Sequence, residues 1–136
     1  MISGIASVVK TVADTRIVIG VELEVSCAFQ ASVRAGRLVQ IVPGASMAEG
    51  LGGNPDPETI TFRFIQRHVD QIVTVSEGDL QAAVAGLVEA EHLIVEGSGA
   101  AGVAAILGRR VDVAGCRVAV IATGSNIDRG RLTKFL

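Results

Sequence analysis

The sequence predicts an α/β protein, with three layers (αβα) built on a mostly parallel sheet. Three observations carry this. The 136 residues are 49% hydrophobic but only 3% aromatic, with no Trp or Tyr. Such a mixture of β-branched and small residues suits strands buried on both faces, with helices packed closely over them. Two short apolar runs, over 93–95 and 117–122, each end in a turn of Gly, Ser, Thr and Asn. Polar turns of that kind lie at the carboxyl ends of strands in parallel sheets. Finally, the periodicity alternates along the chain in the order α-β-α-α-β-α-β-α-β. The length is that of about one domain, residues 1–136, with enough core to need no covalent staples.

Each element has its own signal. Ile2, Ile5, Val8, Val9 and Val12 recur at helical spacing, which predicts a helix over 2–12. Asp14-Thr15 makes a turn, and 16–21 is a short β-branched strand. Ser26 is placed to cap a helix over 27–35, with Gly36 as its stop. Residues 40–57 hold all three prolines and four glycines and form a long loop, a length that points to a binding loop or lid. A helix follows over 58–69 with Ile60, Phe64 and Ile65 inward, then a strand over 71–75. Ser76-Glu77-Gly78-Asp79 fits a capping box that opens a helix running to about Glu91. The chain ends with a short strand at 93–95, a helix over 100–107 and a last strand over 117–122. No internal repeat or low-complexity tract interrupts this order.

Composition removes several function classes. A formal net charge of −2 gives no basic face for nucleic acid. The longest uncharged run, Gly97 to Gly108, is too short to cross a membrane and is broken by glycines. The first residues lack a basic segment of the secretory kind. Cys27 and Cys116 stand at no metal or redox spacing, and both are expected to be buried small hydrophobes in a cytoplasmic protein.

The polar motifs have competing readings. Gly97-Ser98-Gly99-Ala100-Ala101-Gly102 matches G-x-G-x-x-G, but the acid expected about 20 residues later for a nucleotide ribose is missing. The alternative is close packing of a helix on the sheet. Thr123-Gly124-Ser125-Asn126 clusters two hydroxyls and an amide around an exposed backbone, able to offer a hydroxyl to a heteroaromatic nitrogen or N–H groups to an anion. It also reads as an ordinary turn. Glu96 is a candidate site carboxylate or a helix N-terminal charge. Glu22 and Glu24 are half of a cation site or solvated edge charges. His68 and His92 are isolated, on or near helix ends, and read as surface or dipole-facing histidines.

Five stretches together resemble the C-terminal part of threonine/serine dehydratases and serine racemases, pyridoxal-phosphate enzymes of the tryptophan-synthase β fold. They are Ile19-Gly20-Val21-Glu22, Ser46-Met47-Ala48-Glu49-Gly50-Leu51, Val69 through Ser76, Val95-Glu96-Gly97-Ser98-Gly99-Ala100 and Thr123-Gly124-Ser125-Asn126-Ile127-Asp128. They lie in family order with comparable gaps and cover almost the whole chain. The resemblance implies a truncated fold type II. It also implies that Thr123 carries the hydroxyl that meets the pyridine nitrogen, with Gly124 in the same turn. A neutral hydroxyl there, instead of a carboxylate, suits β-elimination of water. Gly50 would lie against one face of the cofactor ring, and Glu96 would border the pocket. In the serine-racemase branch a carboxylate matching Glu22 binds a divalent cation with a backbone carbonyl, here near Ser26, and an Asp. The position matching that Asp is Ala28.

The family's imine-forming lysine, in a Ser-x-Lys-x-Arg-Gly setting, and its glycine-rich phosphate loop precede the stretch that residues 2–6 resemble. The lysines present are Lys10 and Lys134, neither in that setting. The chain is therefore expected to hold pyridoxal phosphate poorly by itself and to be non-catalytic alone. It would act as an oligomeric binding or interaction module. The alternative is a subunit of a split hydroxy-amino-acid ammonia-lyase, whose partner chain supplies the missing half.

Overall fold

Two parallel strands organise the chain. The computed structural model describes all of residues 1–136. Strand β1 (Ile19–Leu23) pairs with β2 (Gln71–Val75) in parallel, from Ile19 opposite Gln71 to Leu23 opposite Val75. The helices are α1 (Ile2–Val12), α2 (Ala28–Ala35), α3 (Thr61–His68), α4 (Glu77–Glu91), α5 (Gly97–Leu107) and the short α6 (Arg129–Leu132), with a 3-10 turn at Glu49–Leu51. The fold is α/β with a parallel sheet.

The pleat sends alternate side chains to opposite faces, and this divides the layers. On one face, Gly20 lies under Ile2 of α1, where an added Cβ would come within 3.1 Å of the Ile2 side chain. Glu22, two residues on, reaches α2 on that side. On the other face Leu23, Val73 and Val75 join Leu80, Val84 and Leu87 of α4 and the alanines of α5 in one apolar cluster. Ala100, Ala101, Ala104 and Ala105 are all buried. Their small size is what lets α5 approach both α4 and the sheet.

The capping box of α4 is formed in full. Ser76 Oγ accepts from the Asp79 N–H at 3.1 Å, and Asp79 Oδ2 accepts from the Ser76 N–H at 2.9 Å. Arg110 adds two donors to the same Asp79 oxygen, at 2.7 and 3.0 Å.

Lys10 fastens α1 to the strand ends. Its ammonium donates to Arg16 O at 2.7 Å and Asp70 Oδ1 at 2.8 Å, while Asp70 Oδ2 accepts from the Val18 N–H at 2.7 Å. The Lys10 hydrogen bond, helped by the Val18 N–H, holds the Asp70 carboxyl below its ordinary value of 3.8. A depressed aspartate stabilises the folded state above the unfolded value and loses that contribution as pH falls through the folded one. Asp70→Asn is therefore expected to unfold more easily at pH 7, by up to about 1 kcal/mol for so accessible a pair. The difference should begin to shrink near pH 3.8 and vanish once pH has passed the lower folded value, as urea titrations across a pH series would show. A gap that persisted undiminished in acid would contradict this account.

Several sequence expectations are corrected. Residues 93–95 and 117–122 form no strands. A strand needs a neighbouring ladder, and here β1 and β2 pair only with each other. Val118 and Ile121 are about half exposed, at 50% and 49%. Helix α3 buries Phe62 and Ile65, whereas Ile60 and Phe64 face solvent. Val8 and Val12 of α1 are exposed as well, with Ala6 its buried residue. Ser26 does not cap α2; the N-cap is Cys27, and Ser26 Oγ accepts from the Gly53 N–H at 3.0 Å. Cys27 is half-buried, but Cys116 is exposed.

The long loop is better tied than its composition suggests. The Asn54 side chain both accepts from Ile41 N–H, at 2.8 Å, and donates to Ile41 O, at 2.9 Å. One amide thus satisfies both backbone groups of a residue with no ladder partner.

Candidate functional site

The amino end of α5 gathers two segments distant in sequence. Glu96 is its N-cap in extended conformation, and the next three residues meet two stretches of chain, the loop over 47–50 and the turn at Thr123. Gly97 lies against the backbone of Met47 and Ala48, where an added Cβ would come within 3.1 Å of Met47 O. Ser98 faces Gly50: a Cβ on Gly50 would stand 2.9 Å from Ser98 Oγ. Gly99 abuts the Thr123 carbonyl so closely that any side chain there would overlap it. Farther along the helix, Gly102 faces Val120. The G-x-G-x-x-G pattern is thus filled by close approach of protein to protein.

Glu96 and Gly124 form the centre of this arrangement. The Glu96 N–H donates to Gly124 O at 3.0 Å. Gly124 has φ +73°, a left-handed conformation that a side chain would strain. The Glu96 carboxylate lies directly over its Cα, where a Cβ would meet Oε1 at 2.5 Å. Glu96 makes no side-chain cap bond to α5. Its carboxylate is therefore directed to the turn that also carries Thr123. Gly50, Thr123 and Gly124 are all exposed, and Glu96 is half-buried. The structure brings these four predicted residues together on one open edge of the fold.

The Gly50 loop is held from two sides. Met47 N–H donates to Glu77 Oε2 at 3.0 Å, and Arg131 Nη2 donates to Glu49 Oε1 at 2.8 Å. Asp128 caps α6 by accepting from the Arg131 N–H at 2.8 Å. The second Glu77 oxygen is buried without a partner. Sequence reading singled out neither Ser98 nor Glu77 as a site residue. The Gly-Ser-Gly turn flagged Ser98's setting, whereas Glu77 was absorbed in the capping motif and gave no separate signal.

Glu22 stands apart, in a different role. Its Oε1 accepts from the Phe29 N–H at 2.9 Å and its Oε2 from the Gln30 N–H at 2.7 Å. Burial pushes its carboxyl above the ordinary 4.5, and the two N–H bonds offset part of that rise. No group of three His, Cys, Asp or Glu side chains is placed to share a metal ion. Glu24, the other half of the sequence pair, is bound to Arg110 at 3.0 Å. His68 stacks on Phe64 with ring centroids 6.3 Å apart, and His92 is the C-cap of α4 at φ 55°. No helix is long and apolar enough to cross a membrane.

A family profile described as "Pyridoxal-phosphate dependent enzyme" matches residues 1–124. The chain is 33% identical, over its whole length, to 33% of an L-threonine ammonia-lyase of Thermotoga maritima. Among solved structures it resembles a threonine deaminase of T.th., with TM-score 0.83 and 32% identity over 93% of this chain and 46% of that one. It also resembles maize serine racemase, with TM-score 0.86 and 25% identity over 98% of this chain and 41% of that one. The chain spans about a third of the length of that ammonia-lyase and less than half of either solved relative.

Proposed function

Because the chain belongs to the family of pyridoxal-phosphate dependent enzymes, we propose that its open edge is one wall of a coenzyme pocket serving a hydroxy-amino-acid ammonia-lyase of the threonine/serine dehydratase kind. The observation that carries this reading is the convergence of Gly50, Glu96, Thr123 and Gly124 on the first turn of α5. The relatives' names, ammonia-lyase and deaminase, support the reaction class.

These residues fit the ring end of the coenzyme. Thr123 brings a hydroxyl suited to a pyridine nitrogen, Gly50 leaves a flat approach free of a side chain, and Glu96 brings a carboxylate that orients the turn through Gly124. When bound, pyridoxal phosphate supplies an electron-withdrawing ring for carbanion chemistry. The neutral Thr123 hydroxyl would leave that ring less electron-poor than a carboxylic acid partner would. That favours loss of a β-hydroxyl group over reactions needing a longer-lived carbanion.

The amine and phosphate ends do not fit within these residues. Lys10 is committed to Asp70 and Arg16, with its side chain only 14% exposed. Lys134 lies in the tail beyond α6. The 136 residues by themselves are thus proposed to be non-catalytic, to bind the coenzyme weakly if at all, and to act in the cytoplasm as an oligomeric binding and interaction module. The partly exposed Leu93, Ile94, Val118, Val120 and Ile121 favour association. The split-subunit alternative differs in one respect: a separate polypeptide then supplies the lysine and the phosphate cradle.

The test is complementation. The purified chain is mixed with pyridoxal phosphate, alone and with a polypeptide carrying those two missing parts, and offered serine or threonine. Native mass above one copy, no borohydride-reducible adduct and no 2-oxo acid are expected for the chain alone. Adduct and turnover with the companion would favour the split lyase. Turnover by these 136 residues unaided would refute the reading.

A further inference from the structure

The carboxylate that the serine-racemase resemblance makes a cation ligand is doing another job here. Helix α2 begins at Ala28 behind the N-cap Cys27, whose side chain makes no cap bond. The N–H groups of Phe29 and Gln30 are the second and third of that helix, the two that an N-cap side chain ordinarily satisfies. Glu22, on the neighbouring strand β1, accepts both, one with each carboxylate oxygen, at 2.9 and 2.7 Å. We infer that Glu22 is a strand-borne cap of α2 and that this chain is insensitive to divalent cations at that place.

Charge and ligand count agree with the hydrogen bonds. The amino end of a helix carries partial positive charge, so α2 already supplies the counter-charge that a cation would bring. A hard divalent cation takes six or more oxygens, and a protein that holds one firmly sets more than a lone carboxylate among the carbonyls and waters. The side chain at 28 is a buried Ala methyl, the Ser26 hydroxyl is engaged with Gly53, and Glu24 is engaged with Arg110. Nothing beside Glu22 offers a second carboxylate. The inference concerns these residues alone and does not depend on the proposed pocket or its coenzyme.

The experiment uses the whole 136-residue chain with MgCl2, CaCl2 and MnCl2 as probes. Thermal unfolding followed by circular dichroism should show the same midpoint with each salt at millimolar concentration as with NaCl of matched ionic strength. Manganese paramagnetic resonance should show no saturable bound fraction. Glu22→Gln leaves a single carbonyl acceptor for two N–H donors. It should lower the midpoint by several degrees and leave the flat salt response unchanged. A saturable, cation-dependent rise in midpoint or bound manganese in the parent, abolished in Glu22→Gln, would overturn the inference. If the variant failed to fold, the parent's two cation titrations would still decide it, because a flat response supports the cap and a saturable one does not.

Discussion

Gly99→Ala is expected to push residues 120–124 off α5 and to destabilise the protein by about 3 kcal/mol or more. The glycine sits inside the first turn of α5, and the Thr123 carbonyl occupies the space a methyl group would need. Neither partner can yield cheaply. Gly99 is fixed by the helix, with its N–H bonded to Glu96 O at 2.9 Å, and Thr123 precedes the left-handed Gly124, whose carbonyl is bonded to Glu96. Without Trp or Tyr to report the transition, urea unfolding would be followed by circular dichroism. Hydrogen exchange would then identify the segment released. Faster exchange at Glu96 is the specific signature, since its N–H is bonded to Gly124 O. An unchanged urea midpoint would mean that the close approach does not exist in solution.

Leu80→Ala should be comparably damaging, at about 2–5 kcal/mol. Leu80 is the bulkiest side chain of α4 with no exposure at all, and it lies where α4, α5 and the sheet meet. Only 22 of the 136 residues are buried, and many of those are alanines, so each large core side chain carries more of the total. Net stabilities of domains are about 5–15 kcal/mol, and the variant would approach the unfolding threshold. Leu136→Ala is the control, because Leu136 is 59% exposed and the same truncation there should change the midpoint little. Equal losses at the two positions would show that the core has been misplaced.

Local signals proved legible where they were self-contained. The capping box of α4, the α2 stop at Gly36 and the strand at 71–75 all stand where spacing put them. The first two depend on residues within a turn of one another, and the strand is the one apolar run of the three that finds its neighbour, β1. The misplaced features depend on partners distant in sequence. Apolar content at 117–122 shows a capacity for β structure, but a ladder needs a neighbour, and none lies alongside. Ser26 has the right chemistry for a cap at the right place, yet Glu22 reaches the helix from the adjoining strand and takes its donors. In α3, helical spacing could not tell which side the rest of the fold would cover. Among site residues, the grouping of Gly50, Glu96, Thr123 and Gly124 came from family resemblance, because no local pattern joins positions so far apart. Their meeting at α5 follows from three glycine- or serine-sized positions in a row, a feature that spacing did reveal.

The pairing of β1 with β2 alone has a practical result. A ribbon of two parallel strands has two outer margins, and unsatisfied amides along a margin can template further strands from other molecules. The two margins should therefore be the first places at which concentrated protein pairs strand to strand.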